Sequence, residues 1–141
     1  MRPAYFLSII SFGTLTFLTL ACGNSSSQRE LQTVSVSPAS ADAKKYPSGQ
    51  VQFTATGTYN TSPITVTPLE ASWGVAQNNA PTTGVSISSG GLAQCASGAV
   101  GTYSIGAWDV MHTNGATCTL IGPYGEPGCN AVLGTGQLTC P

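Results

Sequence analysis

Val51-Gln52-Phe53-Thr54-Ala55-Thr56 is the stretch from which the rest of the chain is read. Val51, Phe53 and Ala55 alternate with Gln52, Thr54 and Thr56. Successive side chains of an extended strand point to opposite faces, so this order places the apolar groups on one side and the polar groups on the other. A helix would split the same apolar residues across its circumference. The period of two recurs in both directions. Val34 and Val36 alternate with Ser35 and Ser37 before Pro38, while Ala71, Trp73 and Val75 follow downstream, then Val85 and Ile87. Tyr103, Ile105 and Ala107 alternate with Ser104, Gly106 and Trp108, and Leu138 and Cys140 flank Thr139 at the close. Clusters of Gly, Pro, Asn and Ser separate these runs. Short alternating runs between turn residues predict the half-buried strands of an all-β sandwich. Residues 38–45, Pro-Ala-Ser-Ala-Asp-Ala-Lys-Lys, read as an edge segment, with one turn of helix as the alternative.

The start of the chain obeys a different logic. Arg2 precedes an apolar run from Tyr5 to Leu20. A basic start, a short apolar core and a small residue before a cut are the parts of a secretory signal. The run falls short of the roughly 20 apolar residues that span a bilayer, and Ser8, Ser11, Gly13, Thr14 and Thr16 interrupt it. It ends in Leu18-Thr19-Leu20-Ala21-Cys22-Gly23-Asn24, which resembles the bacterial lipobox, a small residue followed by an obligatory cysteine. That motif usually has Leu three residues before the cysteine, where this chain has Thr19. The alternative is an ordinary signal whose apolar region ends in a cysteine. The resemblance implies a signal peptide over residues 1–21 and a diacylglycerol on Cys22, the one covalent group expected here; no cofactor is. Each buried methylene contributes about 0.8 kcal/mol, and stable anchoring takes more than one chain. Gly23 stands where an Asp would retain an enteric lipoprotein in the inner membrane, so the expected address is the outer membrane of a bacterial envelope. Residues 22–31 then form a polar tether.

Removing 21 of 141 residues leaves 120, the length of a single domain. Charged residues make up 6% of the chain, against roughly 25% in an ordinary soluble domain. The mature part keeps three basic and five acidic residues, a formal charge of −2. Nucleic-acid binding needs clustered Lys and Arg to displace counterions, so that class of partner is excluded. With Cys22 assigned to lipid, Cys95, Cys118, Cys129 and Cys140 remain. An even set in an exported chain implies two disulfides, with three possible pairings. Zinc sites need close cysteine pairs or histidine partners; the chain has no Cys-x-x-Cys and one histidine, His112, so no metal is expected.

Five segments taken together resemble the bacterial immunoglobulin-like group 2 domain: Val34-Ser-Val-Ser-Pro-Ala, Gly49-Gln-Val-Gln-Phe-Thr-Ala-Thr-Gly, Ala71-Ser-Trp-Gly-Val, Gly90-Gly-Leu-Ala and Gly101-Thr-Tyr-Ser-Ile. The likeness covers roughly residues 32–110 and rejoins at Gly136-Gln-Leu-Thr-Cys. It implies an immunoglobulin-like β-sandwich over 32–141, of a kind found in surface proteins, in adhesins and beside enzymes. The family passes to its last strand through a short turn. Here residues 111–135 intervene, with Cys118 and Cys129 inside. The family places an inward apolar residue at Ala93, and Cys95 shares that face; Leu138 is inward, and Cys140 with it. The expected pairing is therefore Cys95 with Cys140 across the core, and Cys118 with Cys129 to close the insertion.

Catalytic chemistry finds little support. Asp109 lies near His112, but no Gly-x-Ser-x-Gly elbow marks out a serine. Asp42, Glu70, Asp109 and Glu126 are scattered, with nothing to converge two of them for glycoside hydrolysis. Trp73 shares a face with Ala71 and Val75 and is expected as the core tryptophan. Trp108 faces away from Ile105 and Ala107: either the insertion folds back over it, or it is an exposed sugar-stacking or protein-contact ring. Tyr124, in the insertion, is the other contact candidate. The expected role is that of a non-catalytic, envelope-anchored domain, acting in adhesion, as a spacer or as a subunit of a surface complex with another envelope protein. A carbohydrate-binding accessory protein, holding a polysaccharide through Trp108 and Tyr124, is the alternative; a small hydrolase is the third.

Overall fold

A computed structural model describes residues 28–110, 121–128 and 130–141. The signal segment, Cys22, His112, Cys118 and Cys129 lie outside the described residues, and so does the expected Cys118–Cys129 bond. The strands are β1 (Leu31–Ser37), β2 (Ser40–Asp42), β3 (Gln50–Gln52), β4 (Thr54–Tyr59), β5 (Thr65–Val66), β6 (Ser72–Gln77), β7 (Ala80–Pro81), β8 (Val85–Ile87), β9 (Leu92–Cys95), β10 (Gly101–Val110) and β11 (Ala131–Cys140). A five-stranded sheet runs β2-β11-β10-β6-β7. Opposite it lie two three-stranded pieces, β1-β4-β5 and β3-β9-β8. The stretch quoted at the outset joins the two pieces. Its first half pairs with β9 and its second half with β1. The handover falls at Phe53, whose N–H donates to the Gly91 carbonyl at 2.9 Å. The result is an all-β sandwich of two layers.

Alternation fills the core. Phe53, Ile105, Leu138 and Val51 are the largest fully buried side chains and come from β10, β11, β3 and the joint beside β4. Burying one such side chain contributes about 1.5–3 kcal/mol, so both layers are held by the same cluster. Trp73 departs from expectation. It faces inward on β6 but is only half-buried, packed at the margin of the core. Phe53 holds the centre instead, and Trp73 lies against Gly91, where an added Cβ would come 2.9 Å from its Cζ2.

The strand directions define two poles. β10 and β11 pair without a break from Gly101↔Cys140 to Val110↔Ala131. That is ten residues, about 30 Å at 3.3 Å per residue. β1 runs alongside β11 in the same sense: the Val34 side chain and carbonyl lie against Gly134, and the Val36 side chain against Gly136. The Leu31 end of β1 and the Tyr59 end of β4 therefore share a pole with Val110 and Ala131. After Ser37 the chain leaves its first sheet, enters the other as β2 in parallel with β11, and turns at Ala43–Lys45. The segment 38–45 is thus an edge strand followed by one short helical turn. Asp42, Gln50, Cys95, Gly101 and Cys140 mark the second pole.

Two expected boundaries move. Residues 28–31 are docked onto the domain rather than free tether. Leu31 is buried against Gly57, and the Asn60 side chain bonds both the Glu30 N–H (2.8 Å) and the Gln28 carbonyl (3.3 Å). Arg29 stacks on the Tyr59 ring, 3.4 Å from its centroid, and donates to the Pro63 carbonyl at 2.8 Å. The last strand begins at Ala131, not at 136, so the segment between β10 and β11 is shorter than expected. Gly134 and Gly136 obscured this start, because glycine in a strand reads as a loop unless another backbone passes close by. Here the Val34 backbone does so.

Candidate functional site

The two sequence-chosen aromatic residues lie on the same outer face of the five-stranded sheet. Residues 121–127 fold onto the outer face of β6 and β10. An added Cβ at Gly106 would lie 2.6 Å from the Tyr124 Cγ, and one at Gly74 would overlap the Tyr124 carbonyl. These two glycines form the trough in which Tyr124 lies. Its hydroxyl and that of Ser104 share a hydrogen bond of 2.8 Å. Glu126, 7% exposed, fixes the turn from within. Its carboxylate accepts the Tyr124 N–H at 2.8 Å and lies against Gly122, while the Gly122 N–H donates to the Glu126 carbonyl. The turn thus takes up this carboxylate as an internal acceptor. Trp108 is outward by register yet only 8% exposed. At that exposure it offers little face for stacking. Glycines at outward positions of neighbouring strands were the signal for the Tyr124 trough.

Among the clefts of the described residues, two lie away from this layer and carry polar side chains. The first, about 410 Å³, opens beside Trp73 at the seam between the two smaller sheet pieces, lined by Gln52, Ala55, Leu69, Glu70 and Ser89 among others. The second, about 440 Å³, lies at the pole of the disulfide, between Lys44, Tyr46, Gln94, Ser97 and Val100. Its walls are turns. Asp42 caps the first through the Lys44 N–H at 3.0 Å, and the Tyr46 and Gly49 N–H groups close successive turns at 3.2 and 3.1 Å. Ser48, Gly49 and Gly98 take positive φ, which lets the chain double back tightly around the opening. The Ala99 N–H closes the opposite turn onto the Ala96 carbonyl at 3.0 Å.

The Cys95–Cys140 disulfide lies beneath this second cleft and joins β9 to β11, hence one layer to the other. The expected pairing is therefore present. Gln50 and Gln94 face each other across β3 and β9, the Gln50 Nε2 donating to the Gln94 Oε1 at 3.2 Å. Tyr46 is 38% and Val100 66% exposed. Sequence reading passed over Tyr46; the signal was Lys44-Lys45-Tyr46-Pro47-Ser48-Gly49, the chain's only two lysines followed by a turn.

The titratable groups stay dispersed. Asp109 sits on β10 opposite Val132 and accepts its neighbour's N–H, Glu70 lines the Trp73 cleft and Glu126 is in the outer turn. No group of three His, Cys, Asp or Glu able to hold a metal ion forms among the described residues, and none of their helices is long and apolar enough to cross a membrane. No protein-family model matches the chain, and no curated protein matches it significantly.

Proposed function

We propose that the protein is a lipid-anchored, non-catalytic immunoglobulin-like domain of a bacterial envelope. It acts in adhesion, as a spacer or as a subunit of a surface complex, with its far pole as the working end. The observation that carries this reading is Leu20-Ala21-Cys22 at the end of a short apolar run behind Arg2. Two further features support it. The Cys95–Cys140 bond suits an oxidising compartment. Residues 28–31 are also bonded down at one pole, so a chain arriving from Cys22 enters there and the disulfide pole stands about 30 Å beyond.

Kinship with the bacterial immunoglobulin-like group 2 domain belongs to the same proposal. In its favour, the five resembling segments begin on β1, at β3, beside β6, beside β9 and on β10, in order along the sandwich. The accessory-protein alternative has less in its favour: Trp108 is 8% exposed, and the half-buried Tyr124 shares its hydroxyl with Ser104.

Expression in a bacterial host with membrane fractionation tests the anchor. Wild type is expected in the membrane pellet and Cys22→Ser in the soluble fraction. Equal partitioning of the two would count against the anchor.

A further inference from the structure

The disulfide-pole cleft has a character that neither the fold nor the anchor requires. A domain used only as a spacer gains nothing from an exposed aromatic ring and cations at its far end. Tyr46 lines the cleft, and no hydrogen bond of its hydroxyl is present among the described residues. Lys44 lines it too, Lys45 is next in the chain, and both are exposed with no ion pair among the described residues. The chain has no other lysine. The acids lie mostly elsewhere: Glu30 and Asp109 near the tether pole, Glu70 beside Trp73, Glu126 within the outer turn. Asp42 is the exception among the acidic side chains, with one carboxylate oxygen engaged by the Lys44 N–H, and the Pro141 main chain also lines the cleft. The Gln94 amide completes a wall that offers both a donor and an acceptor type.

An aromatic ring to stack on a sugar face, amides and hydroxyls for its hydroxyl groups, and ammonium groups for its acid groups together match one ligand class. From the exposed Tyr46 ring and Lys44 that line the disulfide-braced cleft, and from Lys45 beside them, the two lysines without an ion pair among the described residues, we infer that this pole binds an acidic polysaccharide, a polymer of uronate-type sugars. The turns and the Cys95–Cys140 bond hold the site in shape before the ligand arrives, which lowers the ordering cost of binding. An anionic lipid surface fits less well, because the cleft is at the pole away from the tether. This inference rests on the proposed anchored reading for its outward direction, but not for the site itself.

The test uses the full chain, purified with its lipid, and polygalacturonate as probe, with a neutral dextran as comparator. Wild type is expected to bind polygalacturonate and not dextran, and to bind more weakly as salt rises and screens the lysines. Tyr46→Ala is expected to weaken binding about ten-fold, the scale of one lost stacking contact. Lys44→Gln with Lys45→Gln is expected to weaken it and flatten its salt dependence. Ile64→Ala, an exposed residue of the opposite pole, is the control and is expected to change nothing. Circular dichroism confirms that each variant is folded. Absence of polygalacturonate binding, equal binding of dextran, or binding untouched by folded Tyr46→Ala would overturn the inference. Wild-type chain that is recovered without lipid and still binds would instead count against the anchor and leave the site standing.

Discussion

At the scale of single residues, the outer layer depends on what Gly74 and Gly106 lack. Both occupy outward positions, and Tyr124 lies in the space their missing Cβ atoms leave. Gly106→Ala forces the ring or the strand to move, and overpacking of this kind costs about 1–3 kcal/mol. Urea unfolding is expected to show that loss of stability. Tyr124→Phe keeps the ring and removes the hydroxyl bonded to Ser104; a loss of about 1 kcal/mol is expected in the same measurement. A Gly106→Ala chain as stable as wild type would mean that the 121–127 segment does not lie in the trough. Arg29 makes a smaller contribution. Its stacking on Tyr59 is partly exposed, and Arg29→Ala is expected to lower stability by about 0.5–1 kcal/mol.

At the scale of elements, the Cys95–Cys140 disulfide is a covalent tie between the layers. It closes a loop with a sequence separation of 45, for which chain entropy gives about 4 kcal/mol. The double substitution Cys95→Ser, Cys140→Ser is expected to lower unfolding stability by that order without changing the far-ultraviolet circular dichroism spectrum of the folded state. A loss below about 1 kcal/mol would mean that the bond contributes far less than loop closure allows. The strands themselves were largely legible. Val51, Phe53 and Ala55 alternate, and so do Tyr103, Ile105 and Ala107, because one face of each strand meets the core. Cys95 and Cys140 were legible for the same reason, through the faces they share with Ala93 and Leu138. The start of β11 was hidden by Gly134 and Gly136, whose close contact with β1 leaves no trace in a pattern of apolar side chains. Tyr46 was hidden because it belongs to no strand; the pole that makes it a cleft wall forms only when 43–49, 96–100 and the chain end come together. Trp108 was legible in direction, outward from Ile105 and Ala107, whereas alternation alone left open whether it is covered; it is 8% exposed.

At the scale of the whole molecule, the domain has two unlike ends. The chain is bonded down near Leu31 at one pole, and the braced cleft opens at the other. A lipid at Cys22 would fix the first pole toward a membrane and turn the second outward. The most direct test of that arrangement is the intact mass of the protein extracted from the membranes of a bacterial host. The account expects a chain that begins at Cys22, heavier than residues 22–141 by a diacylglycerol and, where the amino group is acylated, one further chain. A chain that keeps residues 1–21, or one that begins at Cys22 with an unmodified thiol, would contradict it.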